Sequence, residues 1–237
     1  LPISFTNDLV PVIPKKQYDD EATDFLAEYW PEALVSPMLL PIMTIAQDIM
    51  GLTVLEHRLS EDSSILGQMC FTAGVAEINE RETDEYREIE VKQGTMIIDP
   101  DTYEMGNIGR KNNTVIHECY HWYRHRNYHI LREALDGTRS VALRCPTEQT
   151  SGYSRRDMPD EYWMELQATG ITPRILMPKQ TVGKVFARLN IESQSNLFVA
   201  KGLLPAVQWI IDKMADFYNV SKQSTEIRLK ELGFITP

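Results

Sequence analysis

Three cysteines in 237 residues, Cys70, Cys119 and Cys145, are too few and too far apart for a disulfide framework, which points to a reducing compartment. Long apolar runs are missing as well. No segment approaches the roughly 18 to 20 consecutive apolar residues that span a bilayer, and the opening LPISFTNDLVPVIPKK has neither the basic start nor the apolar stretch of a secretion signal. Both absences point to a cytoplasmic chain without membrane contact. An excess of positive charge is lacking too: the net charge is -10, and residues 179–237, with eight Lys/Arg against five Asp/Glu, leave -13 on residues 1–178. Phosphate contacts need clustered cations, so the acidic body argues against nonspecific binding to nucleic acid. No internal repeat or low-complexity tract is present. What remains is ordinary globular composition, 43% hydrophobic and 24% charged, in a chain long enough to bury a sizeable core. One domain spanning residues 1–237 is expected, with 200–237 as a helical C-terminal subdomain.

Hydrophobic spacing organises the chain. Ala22, Phe25, Leu26 and Tyr29 fall on one helical stripe that Pro31 ends, and Ile42, Ile45, Ala46 and Ile49 form a second between Pro41 and a C-cap position at Gly51. Short β-prone runs follow at Thr53–Leu55, Met69–Thr72, Val75–Ile78 and Thr95–Ile98, and the charge-rich ERETDEYREIEVK between the last two reads as a solvated hairpin or strand edge. A helix is predicted from an N-cap at Asn112 or Asn113 to about Arg126, and another ending near Gly170 or Ile171. Three more are predicted at about 181–189, 200–218 and 222–232, the last capped by Ser221 and stopped by Gly233. Helices on a small, mostly antiparallel sheet make an α+β fold.

His117 and His121 stand four residues apart, so on a helix they lie one turn apart on one face and can both reach one ion. Zinc takes such imidazole nitrogens at about 2.0 to 2.1 Å and leaves positions for a third protein ligand and a water. Glu118, beside the first histidine, approaches that water rather than the metal. The ion acidifies the water and polarises a peptide carbonyl, while the carboxylate takes the proton and passes it to the leaving amine. Five-residue patterns of this kind also arise by chance in long helices. Here no proline or glycine interrupts Thr114–Leu135, and Val115, Ile116, Cys119, Tyr120 and Tyr123 can bury the helix around the histidines, which favours a site over a coincidence. Cys119 points about 200° around the helix from His117, away from the metal face, and is expected to be a small buried residue. His125 continues the ladder about 6 Å farther along the axis, so it is expected to support the site rather than ligate. His57 and His129 carry no distinguishing signal. For the third ligand, Glu148, Asp157, Asp160, Glu161 and Glu165 all lie downstream, and spacing does not choose among them. Glu165 has one advantage, that Tyr162–Ile171 reads as helical and a helix holds a ligand rigidly.

Several segments taken together resemble the ImmA/IrrE-type metallopeptidases of bacteria and their mobile elements: GQMCF at 67–71, GTMIIDP at 94–100, NNTVIHECYHWYRH at 112–125, MELQATGITPRILMP at 164–178 and FYNVSKQSTEIRLKELGF at 217–234. The likeness runs over most of the chain. The zinc-binding pentapeptide is common to many peptidases, while the ILMP segment and the valine-serine tail are more specific. The resemblance implies a zincin-like, gluzincin-type α+β fold and Zn2+ held by His117, His121 and Glu165, the glutamate a few residues before the LMP segment, with Glu118 as the catalytic base. It also implies a protein substrate, a regulatory protein such as a repressor, cut at a specific site. Two departures stand out. Ala168-Thr169-Gly170-Ile171 replaces the usual asparagine-like residue and apolar pair, so Gly170 is expected to loosen or kink its helix. The long separation of His121 from Glu165 makes residues 137–160 a candidate substrate-facing flap or extra helix. In zincins an extended substrate adds to an edge strand beside the active-site helix, and Thr95–Ile98 is the expected strand. The tail from Val207 to Leu232 imitates a DNA-reading helix-turn-helix. Glu226 and Glu231 accompany Lys222, Arg228 and Lys230, however, so packing against the catalytic part is expected instead. A catalytically weak regulatory or DNA-associated protein on the same fold is the alternative.

Overall fold

A computed structural model describes residues 4–5, 10–104, 108–136, 143–146, 159–202 and 204–236. The chain opens with a short antiparallel pair, β1 (Ser4–Phe5) and β2 (Pro11–Val12), before helix α1 (Tyr18–Tyr29) and the single turn α2 (Glu32–Val35). The predicted stripe on α1 is the buried one, with Ala22, Phe25 and Leu26 in the core. Residues Thr44–Ile49 wind as a π-helical turn, and Gly51 beyond it takes a φ of 70°.

Five strands follow: β3 (Thr53–Glu56), β4 (Ile65–Cys70), β5 (Gly74–Asn79), β6 (Tyr86–Val91) and β7 (Thr95–Ile98). Then come the turn α3 (Asp101–Glu104), the long helix α4 (Ile108–Asp136) and strand β8 (Leu143–Pro146). The main sheet has the order β3-β7-β4-β8, parallel between β3 and β7 and antiparallel elsewhere. Among the described residues β5 and β6 pair only with each other, and the charge-rich segment supplies their connection and the largely exposed β6 arm.

Thr95–Ile98 is therefore not an edge strand. β3 occupies one side of β7 and β4 the other, and all four of its residues are buried. An unbroken apolar run is the signature of a strand covered on both faces, whereas a strand with one wet face alternates. Among the described residues the edges are β3 and β8. Residues 143–146 of the expected flap thus extend the sheet, while 137–142 and 147–158 lie outside the described residues.

α4 starts earlier and ends later than its sequence signals. Asn112 sits inside it rather than at its cap, and its amide donates to the Asn219 carbonyl at 3.3 Å. Helix α5 (Asp160–Leu176) also runs past its predicted end, through Gly170 and Pro173. A Cβ at residue 170 would collide with the Tyr18 ring, so the glycine lets α1 approach α5, and the packing gained there keeps the helix continuous where propensity alone would loosen it. Helices α6 (Lys179–Gln194), α7 (Leu197–Ala200), α8 (Ala206–Tyr218) and α9 (Lys222–Glu231) close the chain. The predicted 200–218 helix is split because Gly202, at φ 69°, and Pro205 intervene. Ser221 caps α9 as expected, its hydroxyl accepting from the Ser224 N–H at 3.0 Å.

One contiguous apolar core runs from Val10 through α1, α4 and α5 to Leu229 on α9, with a smaller one, including Leu59, Ile78 and Ile97, under the β5–β6 hairpin. Each large aliphatic side chain fully buried there contributes about 1.5 to 3 kcal/mol. The cations of the tail are bonded internally: Lys222 to Asp212 at 2.9 Å, Lys230 to Glu226 at 2.8 Å, and Arg228 to Asp19 on α1. Among the described residues, no helix is long and apolar enough to cross a membrane.

Candidate metal centre

α4 fixes the site because one face is anchored before the histidines are placed. Val115, Ile116, Cys119 and Tyr120 are fully buried, so the helix cannot rotate without exposing them. His117 and His121 then lie side by side with their Nε2 atoms 2.9 Å apart. α5 packs across α4 and brings Glu165, whose Oε2 is 3.2 Å from His117 Nε2 and whose Oε1 is 3.2 Å from His121 Nε2. One ligand atom from each of the three lies within 4.8 Å of the others.

The donor set fits a metal ion. Two imidazole nitrogens and a carboxylate that converge in a nearly dry place are the ligand types zinc takes in catalytic sites, with a position left for water. Burial alone would raise the Glu165 carboxyl, but the imidazoles of His121 and His117 outweigh it and hold it far below the usual carboxylate range. Burial lowers the His121 pKa against the pull of Glu165, which favours the neutral ring a metal needs.

Glu118 is fully buried, and neither of its carboxylate oxygens has a hydrogen-bond partner among the described residues. Burial, with the Glu165 charge nearby, pushes its carboxyl well above the ordinary value of 4.5. Strand β4 passes so close that a Cβ at Gly67 would stand 2.6 Å from Glu118 Oε1 and 2.6 Å from Thr114 Cγ2. Gly67 thus sets how near the sheet comes to this carboxylate.

His125 is fully buried and stays outside the ligand set, its Nδ1 2.9 Å from His121 Nδ1 and its Nε2 3.1 Å from Gln167 Oε1. Gln167 Nε2 donates to the Pro11 carbonyl at 2.6 Å. His129 is fully buried despite its polar sequence neighbours, stacked on Phe71 at 4.0 Å, and burial drives its pKa down to about 3. Cys119 is in the core, as expected. Asp160 and Glu161 sit in the first turn of α5, outside the three-residue cluster, while Glu148 and Asp157 lie outside the described residues.

A cleft of ≈ 780 Å3 opens beside His117, lined also by Leu66, Thr114, Pro173, Ser224 and Ile227. A second hollow of ≈ 670 Å3, lined by residues of α6, α8, α9 and the segment after α9, includes none of the histidines.

Sequence reading missed Gln167, the Pro11 carbonyl and the role of Gly67. A glycine inside a strand does signal a close backbone approach, but which side chain approaches is not a local property. The chain matches no protein-family model, no curated protein and no solved structure. The α+β architecture and the His117, His121, Glu165 cluster following the His-Glu-x-x-His pattern are those of a zincin-like fold of the gluzincin type, and the cluster is that of a zinc metalloenzyme.

Proposed function

We propose that the chain is a zinc-dependent endopeptidase that cuts a regulatory protein, such as a repressor, at a specific site. One observation carries the reading: a three-ligand cluster, whose His117 lines a cleft, stands next to a buried carboxylate that has no hydrogen-bond partner among the described residues. His117, His121 and Glu165 hold the ion in this reading. Bound there, zinc acidifies a water molecule and polarises the scissile carbonyl. Glu118 is the general base. Its carboxylate takes the proton of the attacking water and returns it to the leaving amine. Leu66 and Thr114 line the cleft with His117.

Placement among the ImmA/IrrE-type peptidases, with the regulatory substrate that implies, is supported by the ILMP segment that follows Glu165 and by the Val-Ser tail. Val220 and Ser221 of that tail line the cleft, so the chain acts as one unit in this reading, residues 200–237 being a subdomain that helps build the substrate channel. A cytoplasmic setting suits Cys70 and Cys119, both free and buried.

The test has two arms. Protein purified without added metal should carry about one zinc per chain, lost in the His117→Ala/His121→Ala double variant, weakened by Glu165→Ala and unchanged by Glu161→Ala. Equal metal in the double variant would sink the assignment. The Glu118→Gln protein should capture a partner from its native cell extract that wild type cuts at one site. Cleavage by Glu118→Gln at the wild-type rate would remove Glu118 as the base.

A further inference from the structure

We infer that Gln167 and His125 form a hydrogen-bonded relay, anchored on the Pro11 carbonyl, that fixes the tautomer of His121 and leaves its Nε2 bare toward Glu165 and His117; this rests on the metal-site reading above.

The proton positions follow from one end of the chain of contacts. A backbone carbonyl can only accept, so the Gln167 amide nitrogen 2.6 Å from Pro11 O must donate to it. With the amide reversed, two oxygens would face each other. That orientation places Gln167 Oε1, again an acceptor, 3.1 Å from His125 Nε2, which must therefore carry a hydrogen. Complete burial favours the neutral imidazole, which has one ring hydrogen. His125 Nδ1 is then a lone pair. It lies 2.9 Å from His121 Nδ1, so the hydrogen between them belongs to His121. The other nitrogen of His121, Nε2, is left without one, and it is the atom that stands 3.2 Å from Glu165 Oε1 and 2.9 Å from His117 Nε2.

The relay is dry from end to end: His125 and Gln167 are 0% exposed and His121 1%, so water does not compete for any of its bonds. It also joins three parts of the chain distant in sequence, β2, α4 and α5. His125 and Gln167 are positioning residues, because neither belongs to the ligand set: His125 bonds to His121 only at Nδ1, and Gln167 bonds to His125. Partners of this kind orient a ligating imidazole and raise its basicity, and their loss costs about 10- to 100-fold in metal affinity.

The experiment reads tautomers and affinity rather than turnover. In long-range 1H–15N spectra of the metal-free wild-type protein labelled at histidine, His121 should appear as the Nδ1–H tautomer and His125 as the Nε2–H tautomer. Zinc affinity, measured by competition with a chelator, should fall about 10- to 100-fold in Gln167→Leu and His125→Leu. His125→Asn should recover most of that, because its amide oxygen can accept where Nδ1 did. A role limited to filling space predicts the reverse order, with leucine harmless and asparagine worse. Finding His121 as Nε2–H, or finding both leucine variants binding zinc like wild type, would overturn the relay. If His125→Leu does not fold, the wild-type spectrum still decides. A wild-type chain that shows the expected tautomers yet binds no zinc would refute the metal reading and leave the relay standing.

Discussion

Two regions of this molecule bury charge, and they treat it in opposite ways. At the tail, every nitrogen of the Arg228 guanidinium is bonded, Nε to the Met177 carbonyl at 3.1 Å and the two terminal nitrogens to the two oxygens of Asp19, although the side chain is only 1% exposed. Arg174 sits beside it, bonded to Glu231 at 2.8 Å and to the Gly170 carbonyl. At the metal centre Glu118 is equally buried and has no hydrogen-bond partner at either oxygen among the described residues. A buried charge that is fully paired ties α1, α5 and α9 together. One left unpartnered costs stability and is retained for its chemistry.

The sharpest test of that contrast is Glu118→Gln. Turnover should fall about 10²- to 10⁴-fold, while the metal-free protein should unfold at the same or a higher temperature than wild type. The sign follows from the raised pKa: above the ordinary 4.5 the unfolded chain ionises Glu118 and the folded chain resists, so this group loses stability as pH rises, and the amide removes that loss. Arg228→Met should do the opposite. It takes both guanidinium hydrogen bonds from Asp19, which keeps only Arg174 Nε at 3.7 Å, and a denaturant titration should show about 1.5 to 3 kcal/mol lost, with zinc per folded chain unchanged. Were Arg228→Met to lose zinc at full stability, or Glu118→Gln to unfold like Arg228→Met, the two clusters would not differ in kind.

Smaller effects sharpen the boundary. Gly67→Ala places a methyl against Glu118 Oε1 and Thr114 Cγ2. Overpacking of this sort costs about 1 to 3 kcal/mol, and turnover should drop while zinc affinity, read by chelator competition, holds. The smallest effect concerns His129, whose pKa falls from 6.5 to about 3 on burial. As pH drops below 6.5 the unfolded chain takes up that proton and the folded chain does not, so stability declines by up to about 1.4 kcal/mol per pH unit for this one group until the folded pKa is reached. His129→Phe should flatten the decline by that share in urea titrations run on both sides of 6.5, and an unchanged slope would mean that the stacked ring titrates freely.

What could be read without a structure was local. The i, i+4 spacing of His117 and His121, the buried stripe of α1 and the Ser221 cap of α9 depend on one turn of helix and its own neighbours, so the order of residues specifies them. Tertiary structure decided whatever depends on a second element. Thr95–Ile98 looked like an edge because its run of apolar residues does not say which strands flank it, and only the pairing with β3 and β4 makes it central. α5 passes Gly170 because Tyr18, far upstream, packs into the space a side chain would fill. Of the carboxylates on α5, the crossing of α5 over α4 brings Glu165 and not Asp160 or Glu161 to the histidines, and the same crossing carries Gln167 to His125 and the Pro11 carbonyl. Helical periodicity orients a side chain around its own axis, but a contact between elements also needs their relative height and angle, which burial of the shared core sets.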